Sequence, residues 1–168
     1  MKKSFLFFLI SFLGYTSLTY GQLQPGDPHF GESCTSIMVG KKASADGSVI
    51  TAHTCDGNYR TWLRLEAAAD HADTALHQVL KGTLHTEAPD DMRKVTVAGT
   101  IPQVKHTFAY LNTAYPSLNE KQLGIGETTF VGPDTLVNKN AMFLIEELQR
   151  LALQRCDNAR DAIRLIGN

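Results

Sequence analysis

Hydrophobic and polar positions alternate in short runs over the first two thirds of the chain, and then the period changes. In C-T-S-I-M-V-G, from Cys34 to Gly40, β-branched and apolar residues predict a strand, Ala45-Asp46-Gly47-Ser48 carries turn chemistry, and Val49 to Ala52 predicts the returning strand of a hairpin. Further strands are expected at Trp62 to Leu65, Lys94 to Ala98, Val104 to Leu111 and Gln122 to Phe130, separated by Gly, Pro, Asn and Asp. From Asn140 to Arg155 the period becomes helical, with Leu144, Leu148, Leu151 and Ala152 at spacings of three and four and Glu146, Glu147, Gln149 and Arg150 between them. A second helix is expected with Asp157 as N-cap, Ala159, Ala162, Ile163 and Ile166 on its inner face, and Gly167 as its stop. Strands followed by helices predict an α+β, layered architecture.

The start of the chain has a different character. Met1-Lys2-Lys3 is a short basic start, Ser4 to Tyr15 is mostly Phe, Leu and Ile, and Thr19-Tyr20-Gly21 supplies small residues, which predicts a signal peptide over residues 1–21 and export to the periplasm or the extracellular space. The apolar run is shorter than the roughly 20 residues that span a bilayer, so no membrane association is expected of the mature form. Gln22 to Ser33 holds two prolines and two glycines with little to bury, and reads as a linker or propeptide. Residues 34–168 are then left as one unit, long enough for a single core.

Composition narrows the partners. The 168 residues are 43% hydrophobic and 20% charged with a net charge of -1, and the basic residues are interspersed with acidic ones, which excludes a nucleic-acid-binding surface of clustered Lys and Arg. Three cysteines, Cys34, Cys55 and Cys156, are an odd number for an exported protein, so at least one thiol is expected free or paired between chains. The alternative is a structural disulfide, Cys55 to Cys156 or Cys34 to Cys55. His71 and His77 lie near Asp70 and Asp73, but their spacing matches no zinc motif, so they are read as scattered surface histidines with no metal.

Cys34 carries the best-defined chemistry. If the chain is cut between Ser33 and Cys34, one residue bears both a thiol nucleophile and an α-amino base. The pattern alone leaves a second reading open, a small buried hydrophobe at a strand end.

Three blocks in order, Cys34 to Ser48, L-N-E-K-Q-L-G-I-G-E-T-T-F from Leu118 to Phe130, and the helical segment from Leu144 to Gly167, closely resemble the exported cysteine dipeptidases of the N-terminal-nucleophile (Ntn) hydrolase superfamily, relatives of penicillin V acylase and bile-salt hydrolase. The resemblance implies an αββα sandwich, of which residues 34–168 would be the N-terminal portion, and hydrolysis of the peptide bond of dipeptides or short peptides. Such relatives are longer, so the chain is expected to be a fragment or a truncated product. Cys34 matches the family nucleophile. Asp56, in H-T-C-D-G-N-Y-R, matches the aspartate of an Arg-Asn-x-Asp pattern that holds the nucleophile's amine, although His53 stands in place of the arginine and Thr54 in place of the asparagine. Asn119 matches an asparagine whose amide donates to the oxyanion. Glu127 is expected to face the substrate's free α-amine and His53 to line the substrate site. The partner implied is a small peptide, no cofactor is implied, and a homo-oligomer is left open. The alternative function is an inactive truncated remnant or a secreted, non-catalytic binding protein.

Overall fold

The computed structural model describes residues 34–54, 59, 62–82, 95–128 and 133–168. The expected leader and linker, Cys55, Asp56, Lys94 and the end of the last expected strand at Thr129 and Phe130 lie outside the described residues.

Mixed helices and antiparallel sheets make the fold α+β. Nine short strands precede two helices among the described residues: β1 (Ser36–Val39), β2 (Ile50–His53), β3 (Arg64–Glu66), β4 (Ala69–Asp70), β5 (Leu76–Lys81), β6 (Thr96–Pro102), β7 (His106–Thr107), β8 (Tyr110–Asn112), β9 (Leu118–Asn119), α1 (Ile145–Arg155) and α2 (Ala159–Gly167). The expected hairpin forms: β1 pairs antiparallel with β2 in a register that sets Ser36 opposite His53 and Met38 opposite Thr51. Its loop is held by Asp46, whose carboxylate accepts from the Ser48 amide at 3.0 Å, and by Gly47 at φ 78°, a conformation that favours glycine. The remaining pairs are β5 with β6, β4 with β7, and a three-stranded sheet in the order β3-β8-β9.

The run expected as one strand from Val104 to Leu111 is broken into β7 and β8. The Phe108 amide donates to the Gln154 carbonyl of α1 at 2.9 Å, and the Ala109 amide donates to the Glu120 carboxylate at 3.2 Å, so both leave the sheet. Helix α1 starts later than its periodicity predicts. The Asn138 side chain accepts from the Asn140 amide at 3.0 Å, and Lys81 Nζ donates to the carbonyls of Ala141 at 2.7 Å and Lys139 at 3.3 Å, holding this stretch as a turn at the end of β5.

The three-stranded sheet has two unlike faces. Register places Glu66, Tyr110 and Asn119 on one face and Leu65, Leu111 and Leu118 on the other. The first faces α1: Tyr110 joins Leu123, Ala152, Leu153, Cys156 and Ala162 in the core, with Ile125 and Leu165 packed against it. Burial pushes the Tyr110 phenol up to about 12, so it stays neutral there. On the other face Leu65 is 68% and Leu118 42% exposed, which makes that face an apolar surface.

Three expectations about the helices are corrected. The cap of α2 is Asn158, whose side-chain oxygen accepts from the Asp161 amide at 3.0 Å, while Asp157 accepts from the Asn158 amide group at 2.6 Å. Its inner face is Ala162 and Leu165, with Ile163 at 71% exposure. In α1 the polar residues expected between the apolar ones are themselves buried: Glu146, Glu147 and Gln149 are at most 6% exposed. Glu147 is tolerated because His77 Nε2 lies 2.8 Å from its Oε1 and Arg150 Nη2 2.5 Å from its Oε2. Burial would raise the Glu147 carboxyl, but the hydrogen bonds from His77 and Arg150 outweigh it and hold it below the usual range. His77 is therefore a core residue of β5, not a surface histidine. No helix among the described residues is long and apolar enough to cross a membrane.

Candidate active site

Cys34 stands two residues before β1, half-buried, its thiol free. The strand end beside it is clamped to β2: the Thr35 amide donates to the Thr54 hydroxyl at 3.0 Å, and the Thr54 amide donates to the Thr35 carbonyl at 2.9 Å. Because alternate strand residues share a face, Cys34 falls on the side of Ser36, and register adds His53 and Thr51 to that side. His53 is bonded at both ring nitrogens, Nδ1 to Ser36 Oγ at 2.9 Å and Nε2 to Thr51 Oγ1 at 2.8 Å. The Ser36 hydroxyl also meets the Thr128 hydroxyl in a short hydrogen bond.

The segment that closes on this face is G-I-G-E-T, residues 124–128. It is brought there by a tight reversal after β9, in which Gln122 has φ 63° and Leu118 bridges Gly124. Its even positions meet the hairpin: a side chain on Gly124 would touch Thr51, a Cβ on Gly126 would fall inside the His53 ring, and Thr128 bonds Ser36. Its odd positions turn away, Ile125 to the core and Glu127 to a half-buried place. The two glycines are thus where a second element approaches without room for a side chain.

Behind Glu127 stands an aromatic pair. The Tyr59 and Tyr115 rings meet edge to face with centroids 5.4 Å apart. Burial first, then a hydrogen bond with Tyr59 and the nearby Glu146 and Glu127 carboxylates, push the Tyr115 phenol well above its usual range, so it remains a neutral hydroxyl beside the acidic groups.

Of the residues expected at the site, His53 and the strand end bearing Cys34 share one face of the hairpin, and Glu127 lies on the facing segment with its side chain turned away from them. Asp56 lies outside the described residues. Asn119, at the end of β9, has its side-chain amide turned to helix α1. It is 4% exposed, and its Nδ2 donates to the carbonyls of Leu153 and Cys156, each at 2.8 Å. Its Oδ1 accepts from the Lys121 and Leu123 amides at 3.0 Å each. An amide with both hydrogens given to a helix end has none for a developing oxyanion. A free thiol is found as expected: Cys34 and Cys156 are both free, Cys156 as part of the core, so neither pairing of the alternative, a structural disulfide, is formed. Among the described residues no three His, Cys, Asp or Glu side chains gather as a metal site.

Ser36, Thr51, Gly126 and Thr128 were not expected at the site. The signal available for them was G-x-G within an otherwise strand-like run, which marks a close approach, together with hydroxyls at alternate positions of the hairpin.

No curated protein and no solved structure matches the chain significantly. A sequence model of one family does match, over residues 33–168, from the residue before Cys34 through the end of α2. That match covers most of the chain and begins one residue before the free Cys34, and the chain belongs to peptidase family C69.

Proposed function

We propose that this peptidase is a cysteine dipeptidase of the Ntn type, in which removal of residues 1–33 makes Cys34 the N-terminus. The observation that carries the reading is the position of Cys34: a free, half-buried thiol at the mouth of a clamped hairpin, one residue inside the start of the family match. A free α-amine, with an ordinary pKa near ~8, takes the thiol proton as sulfur attacks the substrate carbonyl carbon. The tetrahedral intermediate collapses with cleavage of the C–N bond, and the same proton goes to the departing amine. Water then attacks the thioester, the α-amine again relays the proton, and the free acid leaves with the thiol restored. Glu127, on the segment facing the hairpin, suits recognition of a peptide's α-ammonium, and Asp56 suits retention of the Cys34 amine. The basic and apolar start over residues 1–21 supports export of this activity to the periplasm or the extracellular space. The fold proposed is an αββα sandwich with α1 and α2 as one outer layer; the exposed leucine face of β3-β8-β9 supports it, because a sandwich covers such a face with a second sheet.

The test is substitution of the cysteines one at a time in the full chain. Cys34→Ser should reduce dipeptide hydrolysis by about a hundredfold or more, since a hydroxyl is far less ionised than a thiol near neutral pH. Cys55→Ser and Cys156→Ala, scored per folded molecule, should leave it in place. N-terminal sequencing of the active form should begin at Cys34, and a fully active form that begins at Gln22 would refute the α-amine mechanism. The engagement of Asn119 by α1 favours a second reading, a secreted non-catalytic binding protein, which the absence of any peptide hydrolysis by matured protein would support.

A further inference from the structure

We infer that His53 is a positioning residue for the nucleophile's strand, one that holds Cys34 in place against the 124–128 segment without taking part in proton transfer at the thiol. This deepens the dipeptidase reading and rests on Cys34 being the nucleophile.

Three observations carry it. First, both ring nitrogens are used, by Ser36 Oγ and Thr51 Oγ1 at 2.9 and 2.8 Å. A neutral imidazole offers one donor and one acceptor, and a hydroxyl can serve as either. With the proton on Nδ1, the ring donates to Ser36, Ser36 donates to Thr128, and Thr51 donates to Nε2. With the proton on Nε2, each of these bonds reverses. With both nitrogens protonated, Ser36 and Thr51 both accept. Every state of the ring is satisfied in the same place, so the brace does not depend on protonation. Second, one side of the ring is closed by Gly126, where a Cβ would coincide with ring atoms, so the ring has a seat that only glycine leaves open. Third, the partners belong to the three segments that meet at the site: Ser36 on β1, Thr51 on β2 and Thr128 on the 124–128 segment.

The chemistry follows. A histidine with both nitrogens bonded to hydroxyls has no lone pair directed at the Cys34 sulfur, which leaves the base role to the α-amine. What His53 supplies is geometry, because Ser36 is two residues from Cys34 on the same strand face, and displacement of the ring releases the side-chain tie between β1, β2 and the facing segment. A misplacement of about 1 Å can cost on the order of a hundredfold in rate.

The experiment compares His53→Ala, Gly126→Ala, the double variant and His53→Gln in the full chain, with activity per folded molecule normalised by urea titration. Both single changes should lower kcat roughly ten- to a hundredfold with KM within about twofold. Since both act through one ring, the double variant should be no worse than the poorer single. His53→Gln keeps one donor and one acceptor for the two hydroxyls and should recover part of the loss, which decides the matter even if Gly126→Ala does not fold. A raised KM at unchanged kcat would make His53 a substrate contact and overturn the inference, as would multiplicative effects or a loss explained entirely by unfolding. The rate of Cys34 alkylation by iodoacetamide, located by mass spectrometry, separates this inference from the reading it rests on. If the natural sequence hydrolyses no dipeptide, the proposed function fails, and equal changes in alkylation rate in His53→Ala and Gly126→Ala still support the brace, whereas unchanged rates overturn it.

Discussion

At Asn119 a small polar side chain carries four hydrogen bonds into the core, two given to the end of α1 and two received from the turn after β9. Removing it leaves two carbonyls and two amides unpaired in a buried place. Asn119→Ala should therefore destabilise the protein by about 3 kcal/mol, seen as a lower urea midpoint at unchanged slope. Asn119→Asp should not restore stability, because a carboxylate accepts but cannot donate to the Leu153 and Cys156 carbonyls. If Asn119 is a brace, the loss of peptidase activity follows the loss of folded protein; a hundredfold drop in kcat at unchanged stability would return it to the oxyanion role. The residue type was legible in the sequence, and its partners were not, since Leu153 and Cys156 lie more than thirty positions away.

Elements here are short and end where side chains intercept the backbone. Helix α2 starts at the cap Asn158, one residue after the expected Asp157. Asn158→Ala should cost about 1 kcal/mol, while Asp157→Ala should change thermal stability by less than about 0.5 kcal/mol; calorimetry of the two separates them. Strand β5, L-H-Q-V-L-K, was not predicted, because its buried positions are Val79 and a histidine that only Glu147 of α1 makes acceptable inside. The same pairing sets the inner face of α1: the sequence makes its period helical, but which face turns inward depends on a strand some seventy residues earlier.

For the molecule as a whole, that buried cluster contributes to the loss of stability in acid. The folded Glu147 carboxyl is held below the ordinary glutamate value of 4.5, so its contribution is fully present above that value and is lost as pH falls through the folded value. Stability should accordingly be level in this respect above about pH 5 and fall below about pH 4.5. Glu147→Gln should remove that part of the fall and cost about 3 kcal/mol near neutral pH, by leaving Arg150 and His77 without their anion. Urea titrations from pH 3 to 7 would check both. The leucine face of β3-β8-β9 gives a second expectation: residues 34–168 alone should self-associate with rising concentration in sedimentation velocity, and Leu65→Thr with Leu118→Thr should reduce the association.

Local chemistry in the chain was enough to determine the β1–β2 hairpin, the two helices and the α+β class, because turn residues and periodicity act within a few positions of themselves. Tertiary structure alone decided what lies across space from them. It set the imidazole of His53 on Gly126 between the hydroxyls of Ser36 and Thr51, drew Asn119 into the core, and buried His77 with Glu147. Each of those outcomes depends on a hydrogen-bonding partner or a close approach supplied by a distant segment, and the free energy of burying a polar group is decided by that partner rather than by the group itself.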